Sequence, residues 1–198
     1  MFYYKKKNKI IKLNVPESVY EPSEDSILLA RVIEKEMENK NIKTALEIGC
    51  GSGLLSIIAS EFAETTAVDI NEKAVETTIK NAQINKTKIR CLHSDLFDKV
   101  SGSFDLIIFN PPYLPEEIAE NNKIWAAGKN LELIKRFALG VNAHLNENGI
   151  ILMVVSSLTP EIKAIKIFEA QGFKAKILAE EKIPWEKLFA IRFEKQYL

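Results

Sequence analysis

From residue 43 onward the chain alternates short, nearly continuous apolar runs with longer amphipathic stretches. "KTALEI" (43–48), "TTAVDI" (65–70), "KIRCLH" (88–93), "FDLIIF" (104–109) and "GIILMVV" (149–155) read as strands. Residues 53–62, 72–84, 130–145 and 159–170 carry helical periodicity between or after them. Strands with few polar positions, each followed by a helix, predict a parallel sheet covered on both faces. The last two candidate strands, 173–180 and 187–194, have no helix between them. They are expected to form an antiparallel pair at one sheet edge, joined by a turn at "IPWE". Upstream, residues 2–13 predict a strand or hairpin. Ser23 is placed to cap a helix with Glu24 and Asp25 in its first turn and Ile27, Leu28, Val32, Ile33 and Met37 along one face.

A chain of 198 residues fits one domain with a short extension and can bury a core without a disulfide or metal staple. Lysine plus arginine equals aspartate plus glutamate, at 27 each. That balance argues against wholesale coating of nucleic acid, which needs a basic excess. "KKKNKIIK" (5–12) is the one basic cluster, and reads either as a solvated strand face or as a phosphate-binding strip. Cys50, Cys91, His93 and His144 share no metal-ligand spacing, so the thiols are expected in the core and no metal is expected. The first ten residues lack the apolar stretch and cleavage site of a signal peptide, and no run approaches the ~18 apolar residues of a membrane span. These features lead to the expectation of a soluble, cytoplasmic protein.

Candidate chemistry gathers where the predicted strands end. "ALEIGCGSGLLS" places Gly49, Gly51 and Gly53 in a turn between a strand and a helix, where glycine lets backbone approach a ligand closely. Leu54 and Leu55 follow Gly53, so the spacing is not the dinucleotide GxGxxG, and no Gly-Lys-Ser/Thr marks a phosphate loop. Glu47, just before the turn, would repel a pyrophosphate and suits a cationic ligand. Asp69 ends the next strand and can accept hydrogen bonds from both hydroxyls of a ribose. Asp95, after the third strand, can accept from an exocyclic amine. Each acid alone could serve as a cap or a solvated loop residue. Their recurrence at successive strand ends is what indicates a ligand crevice.

"IIFNPPYLP" (107–115) ends the fourth core strand abruptly. Neither Pro111 nor Pro112 can donate to a ladder, and Pro112 holds Pro111 extended. The Asn110 side-chain carbonyl and the Pro111 backbone carbonyl can therefore accept both hydrogens of one planar NH2 group, with Tyr113 lying against it. Such a nitrogen is a poor nucleophile, because its lone pair is delocalised. Paired acceptors would let it pyramidalise towards an electrophilic carbon. A rigid turn after a core strand is the competing reading.

The glycine loop with its acidic strand ends resembles the class I S-adenosylmethionine-dependent methyltransferases, and Asn110-Pro111-Pro112-Tyr113 resembles the subset that methylates amino groups. "VYEPSEDSILL" (19–29) resembles the segment preceding the core in the HemK-type release-factor glutamine methyltransferases, especially their short archaeal and eukaryotic branch. The resemblance implies an α/β, Rossmann-like, seven-stranded and mostly parallel sheet with helices on both faces and an antiparallel edge hairpin. It implies that the first and fourth core strands are central neighbours, which brings positions about 60 residues apart over one crevice. It also implies an N-terminal extension over 1–22, with Tyr20 and Pro22 helping to build a lid, and a methyltransferase domain over 23–198. S-adenosyl-L-methionine is the implied cofactor. Its contacts fall on Ser26, Glu47, Gly49, Gly51, Gly53, Asp69, Asp95, Leu96 and Asn110. Asn110, Pro111, Pro112 and Tyr113 would hold the substrate, with Asn110, Pro111 and Tyr113 carrying the chemistry. The implied substrate is the glutamine amide in the Gly-Gly-Gln tip of a class I peptide-release factor. A small zinc-binding activator protein, pairing along a sheet edge, is the implied partner. "IWAAGKNLELIKRF" (124–137) departs from the family's Trp-Ala-Gly-Gly segment at Ala127. The alternatives are methylation of an adenine or guanine amine in DNA or RNA, a non-catalytic cofactor-binding subunit, and a nicotinamide dehydrogenase. The glycine spacing disfavours the last of these.

Overall fold

A computed structural model of the chain describes residues 1–6, 9–38, 40–112, 131–158 and 161–196. Tyr113 and residues 124–130 of the 124–137 segment lie outside the described residues. Seven strands form one sheet: β3 (Thr44–Ile48), β4 (Glu64–Asp69), β5 (Ile89–His93), β6 (Phe104–Phe109), β7 (Leu145–Ser156), β8 (Phe173–Ile183) and β9 (Glu186–Lys195). Their order is β5-β4-β3-β6-β7-β9-β8, parallel from β5 to β7 and antiparallel at β9 and β8. The predicted edge pair is therefore present. Pro184 and Trp185 make its tight turn, with Trp185 at φ 73°, the left-handed conformation that a type II turn requires of the residue after its proline.

The unbroken apolar runs are explained by burial on both faces. Leu106 and Ile108 of β6, with Ile150, Leu152 and Val154 of β7, pack against α1 (Glu24–Glu38) and α2 (Leu54–Ala59). Their alternating neighbours Ile107, Phe109, Ile151, Met153 and Val155 face α4 (Glu132–Val141) and α5 (Glu161–Glu169). Phe137, Phe168 and Phe193 anchor this second layer. Phe168 stacks on Phe193 at 4.0 Å between ring centroids. Strand period 2 thus feeds two cores at once.

Several boundaries differ from the sequence reading. The helix expected over 53–62 closes at Ala59. The helix expected over 130–145 ends at Val141, and β7 starts at Leu145 rather than 149. The helical stripe runs on through Val141 to Leu145. Turn hydrogen bonds from Ala143 N to Gly140 O and from His144 N to Val141 O nevertheless stop the helix, and Leu145 pairs with Phe104.

The N-terminal segment forms a separate two-stranded sheet, β1 (Phe2–Lys6) and β2 (Lys9–Leu13). Two amides on α3 (Glu72–Ile84) and its C-terminal cap hold it. Asn85 exchanges hydrogen bonds with the backbone of Lys12 at 3.0 and 2.7 Å. Asn81 accepts from Asn14 N at 2.8 Å and donates to Asn14 O at 3.2 Å and to Ser52 O at 2.9 Å. Asn81 is fully buried, so it ties the N-terminal segment and the glycine loop to one helix. Asn81→Ala strands Asn14 N–H and Ser52 C=O, and is expected to lower stability by about 1–3 kcal/mol in urea denaturation. A loss below about 0.3 kcal/mol would show that these bonds are replaced by water. In the basic cluster, Lys6 and Lys9 pair with Glu61 at 2.7 and 2.6 Å. Those two lysines serve the hairpin contact and do not form a free phosphate strip.

Candidate active site

β3 and β6 lie side by side, with Ile48 opposite Phe109. Gly49 and Asn110, the residues after them, therefore flank one crevice at the carboxyl ends of the strands. A cavity of about 430 Å³ opens there, which is of the size that holds a small-molecule ligand. Ser26, Glu47, Gly49, Gly51, Asp69, Asp95, Leu96, Asn110, Pro111 and Pro112 all line it, as does Tyr20. The structure thus gathers every predicted site residue except two. Gly53 sits behind the loop, and Tyr113 lies outside the described residues.

The glycine loop is bolted to its neighbours by backbone bonds. Gly49 N donates to Val68 O at 2.8 Å, and Gly51 N donates to Asp69 Oδ2 at 2.9 Å. Gly51 has φ 50°, and a Cβ added there would meet nothing within 4 Å. It is open backbone facing a space that a ligand can fill. Gly53 is glycine for a different reason. At φ 84° its Cβ position lies 3.0 Å from the Thr78 side chain, so helix α3 packs against the loop only because the Cβ is missing.

Asp69 accepts from Gly51 N on one oxygen and from Asn71 N, at 2.8 Å, on the other. Each carboxylate oxygen keeps a further lone pair for a ligand hydroxyl. Burial raises its pKa against the lowering effect of these backbone bonds. The segment 94–96 is drawn in by Ser94 N, which donates to Asp69 O at 2.9 Å. Leu96 follows in a left-handed conformation at φ 45°.

Glu47 is 2% exposed and accepts from the Ser56 hydroxyl on α2. Desolvation pushes its carboxyl up from an ordinary value near 4.5 to about 8, opposed by the Ser56 bond. The consequence for stability has a definite sign. Between pH about 4.5 and about 8 the unfolded chain loses this proton while the folded chain keeps it, so the folded state binds more protons. Stability of the ligand-free protein is therefore expected to fall as pH rises through that window and to level off above it. Glu47→Gln should flatten this part of the profile in urea melts taken across the pH range. An unchanged slope would assign the effect elsewhere.

Asp95 accepts a hydrogen bond from Arg136 Nη2 on α4 at 2.8 Å. Sequence reasoning missed this arginine, which lines the cavity mouth. The pair is part exposed, with side chains at 46% and 35%, so it contributes little and can open for a ligand. Above the cavity, the segment after β2 is held by Asn71, whose Nδ2 donates to Ser18 O at 3.2 Å. This places Val19 and Tyr20 on the cavity wall, with Pro22 buried beside them.

Asn110 is the central group. Its Nδ2 donates to Asp25 Oδ2 at 3.1 Å and to Ser26 Oγ at 3.3 Å, both on α1. Its Oδ1 is buried and has no hydrogen-bond partner among the described residues. A buried acceptor left open in a cavity wall is costly unless something donates to it. Phe109, the residue before, stacks on Phe137 at 4.3 Å and fixes the strand end. Asp25 was read from the sequence only as a first-turn helix acid, yet it is 3% exposed and sits against Asn110.

The comparisons agree with this arrangement. Residues 24–176 match the family "Methyltransferase small domain". A candidate protein N5-glutamine methyltransferase of Methanocaldococcus jannaschii is 40% identical, covering 91% of this chain and 94% of that one. A release factor glutamine methyltransferase of Lactococcus lactis is 31% identical, over 73% of this chain and 58% of its own. Among solved structures, the E. cuniculi Mtq2-Trm112 complex, described as responsible for methylation of the eRF1 termination factor, superposes with a TM-score of 0.72. It is 25% identical and covers 90% of this chain and 99% of that one. With a glycine loop, acidic strand ends and Asn-Pro-Pro around one cavity, the chain belongs to the methyltransferase small domain family and, within it, to the HemK-type glutamine methyltransferases.

Proposed function

We propose that this protein methylates the side-chain amide of the glutamine in the Gly-Gly-Gln motif of a class I peptide-release factor, using S-adenosyl-L-methionine. The observation that carries the proposal is the Asn110 amide, whose NH2 end is tied down and whose buried oxygen has no partner among the described residues. The residues present fit the cofactor. Gly49 and Gly51 give open backbone, Glu47 suits the amino end of the methionine moiety, and Asp69 suits the two ribose hydroxyls. Asp95 and Leu96 would receive the adenine, and Ser26 lines the cavity beside Asn110. When bound, the cofactor supplies an electrophilic methyl group: the sulfur–carbon bond breaks as the nitrogen–carbon bond forms, and the surplus nitrogen proton leaves to water.

The chain's own part is to bind, orient and exclude water. Amide delocalisation, measured by a rotation barrier of ~18–20 kcal/mol, makes the glutamine nitrogen a reluctant nucleophile. The Asn110 oxygen and the Pro111 carbonyl would each take one of its hydrogens, with Tyr113 against the amide plane. Holding the nitrogen in line would supply ~7–11 kcal/mol of the barrier reduction. Residues 1–22 act as extension and lid, and 23–198 as the catalytic domain. A cationic amino group beside Glu47 favours its carboxylate, so cofactor binding should release a proton and tighten as pH rises towards about 8.

The names of the relatives support glutamine as the acceptor and a release factor as its carrier. The pairing of Lys6 and Lys9 with Glu61 weakens the alternative of nucleic-acid methylation, because it consumes charge from the only basic cluster. Methyl uptake from labelled cofactor, compared between a release factor and tRNA or DNA, separates the two. Label on nucleic acid alone defeats the glutamine reading. Like the Mtq2-Trm112 complex, the enzyme would take a small activator, with zinc in that partner and not here. Of the two sheet edges, β8 is guarded by exposed Lys174, Lys176 and Lys182. The short β5 edge, with Ile70 beside it 65% exposed, is the better place for a partner strand. Co-expression with such an activator should raise soluble yield. The reaction belongs in the cytoplasm, where peptide release takes place. No described helix is long and apolar enough to cross a membrane.

A further inference from the structure

A primary amide has two ends of nearly equal size. Packing alone does not decide which end of Asn110 faces its substrate, and hydrogen bonds must do so. Asp25 supplies them. Its Oδ2 accepts from Asn110 Nδ2 at 3.1 Å. Its Oδ1 collects three donors: Tyr20 OH at 2.8 Å, Ser26 Oγ at 3.1 Å and the Ser26 backbone N–H. A carboxylate only accepts, so the amide must turn its NH2 towards Asp25. Ser26 has spent its one hydroxyl proton on Asp25 and can only accept from Asn110, at 3.3 Å. Both neighbours of Nδ2 are thereby acceptors, and the oxygen is left on the substrate side.

The geometry points to Asp25 as the positioning residue that sets the orientation of the Asn110 amide and strengthens its oxygen as an acceptor. The inference rests on the proposed amide methylation. A negative charge on the Nδ2 side polarises the amide and enriches Oδ1 in electron density. The substrate N–H becomes more acidic as its nitrogen gains positive charge. A stronger acceptor therefore helps the transition state more than the bound substrate, and its loss falls on kcat and not on KM.

The isosteric variant D25N makes the test sharp. Three donors hold the retained oxygen in the Oδ1 place, so the new NH2 must occupy the Oδ2 place, opposite Asn110 Nδ2. Two NH2 groups cannot face each other, so the Asn110 amide turns over and presents a donor to the substrate. Methylation of a release factor by D25N should lose on the order of 10²-fold in kcat, with KM for both substrates and the Kd for S-adenosylhomocysteine held within about threefold. Adding N110D restores an oxygen on both sides, so the exchanged pair should regain at least about tenfold over D25N alone. A readout independent of methyl transfer is the side-chain amide of Asn110 by NMR. Its Nδ2 protons should be protected from exchange beside Ser26 in the wild type and exposed to the cavity in D25N. An unchanged kcat, a loss carried by KM or Kd, no regain in the exchanged pair, or Nδ2 protons still protected in D25N would each overturn the inference. If the wild type methylates no release factor, the glutamine reading falls, while the amide spectrum still decides the role of Asp25.

Discussion

Asn110→Ala should abolish release-factor methylation, lowering kcat by about 10²–10³-fold or more while the protein stays folded and binds cofactor. Asn110 contributes a single neutral acceptor, yet that acceptor is buried and lies next to the glycine loop across the β3–β6 pair. In such a place one fixed dipole is worth far more than in water, because no solvent must reorganise as charge develops. Folding should tolerate the change. Asn110 lies past the end of β6, and the deletion leaves Asp25 Oδ2 and Ser26 Oγ short of one donor each, which water entering the cavity can replace. Circular dichroism and the thermal shift induced by S-adenosylhomocysteine separate lost chemistry from lost structure. A variant that keeps more than about a tenth of wild-type kcat would remove Asn110 from the centre of the mechanism.

Asp69→Ala should act on binding instead. Two charge-assisted bonds to ribose hydroxyls, at about 1.5–3 kcal/mol each, correspond to a rise of roughly 10²–10⁴-fold in the Kd for S-adenosylhomocysteine. The same carboxylate holds Gly51 N and Asn71 N, so the glycine loop and the start of α3 lose an anchor together. Isothermal titration calorimetry measures the first effect, and the melting temperature of the ligand-free protein measures the second. A Kd within about threefold of wild type would mean that the ribose lies elsewhere.

These two residues were legible because they stand where a strand ends, and strand ends are marked in sequence. A run such as "FDLIIF" announces burial on both faces, and an abrupt Asn-Pro-Pro announces its end. The same signal placed Glu47, Gly49, Asp69 and Asp95 in one crevice, because parallel topology brings strand ends together. What could not be read depends on contacts far apart in the chain. Asp25 looks like any first-turn acid until α1 is docked and its carboxylate meets a residue 85 positions away. Arg136 is one more cation on an amphipathic helix until α4 brings it to Asp95. Asn81 reads as a weak helix residue, but it bonds to the backbone of both Asn14 and Ser52. The false extension of α4 to residue 145 has a simpler origin. Apolar spacing continued past the point where the turn at Gly140–His144 redirected the chain into β7.

The central claim is that a planar nitrogen, held by the Asn110 oxygen, takes a methyl group. Its most direct test is mass spectrometry of a class I release factor incubated with this enzyme, the proposed activator and S-adenosylmethionine. The account predicts a gain of one methyl, located by fragmentation on the glutamine of Gly-Gly-Gln and absent with Asn110→Ala. A release factor left unmodified under those conditions, or a methyl on any other residue, would contradict it.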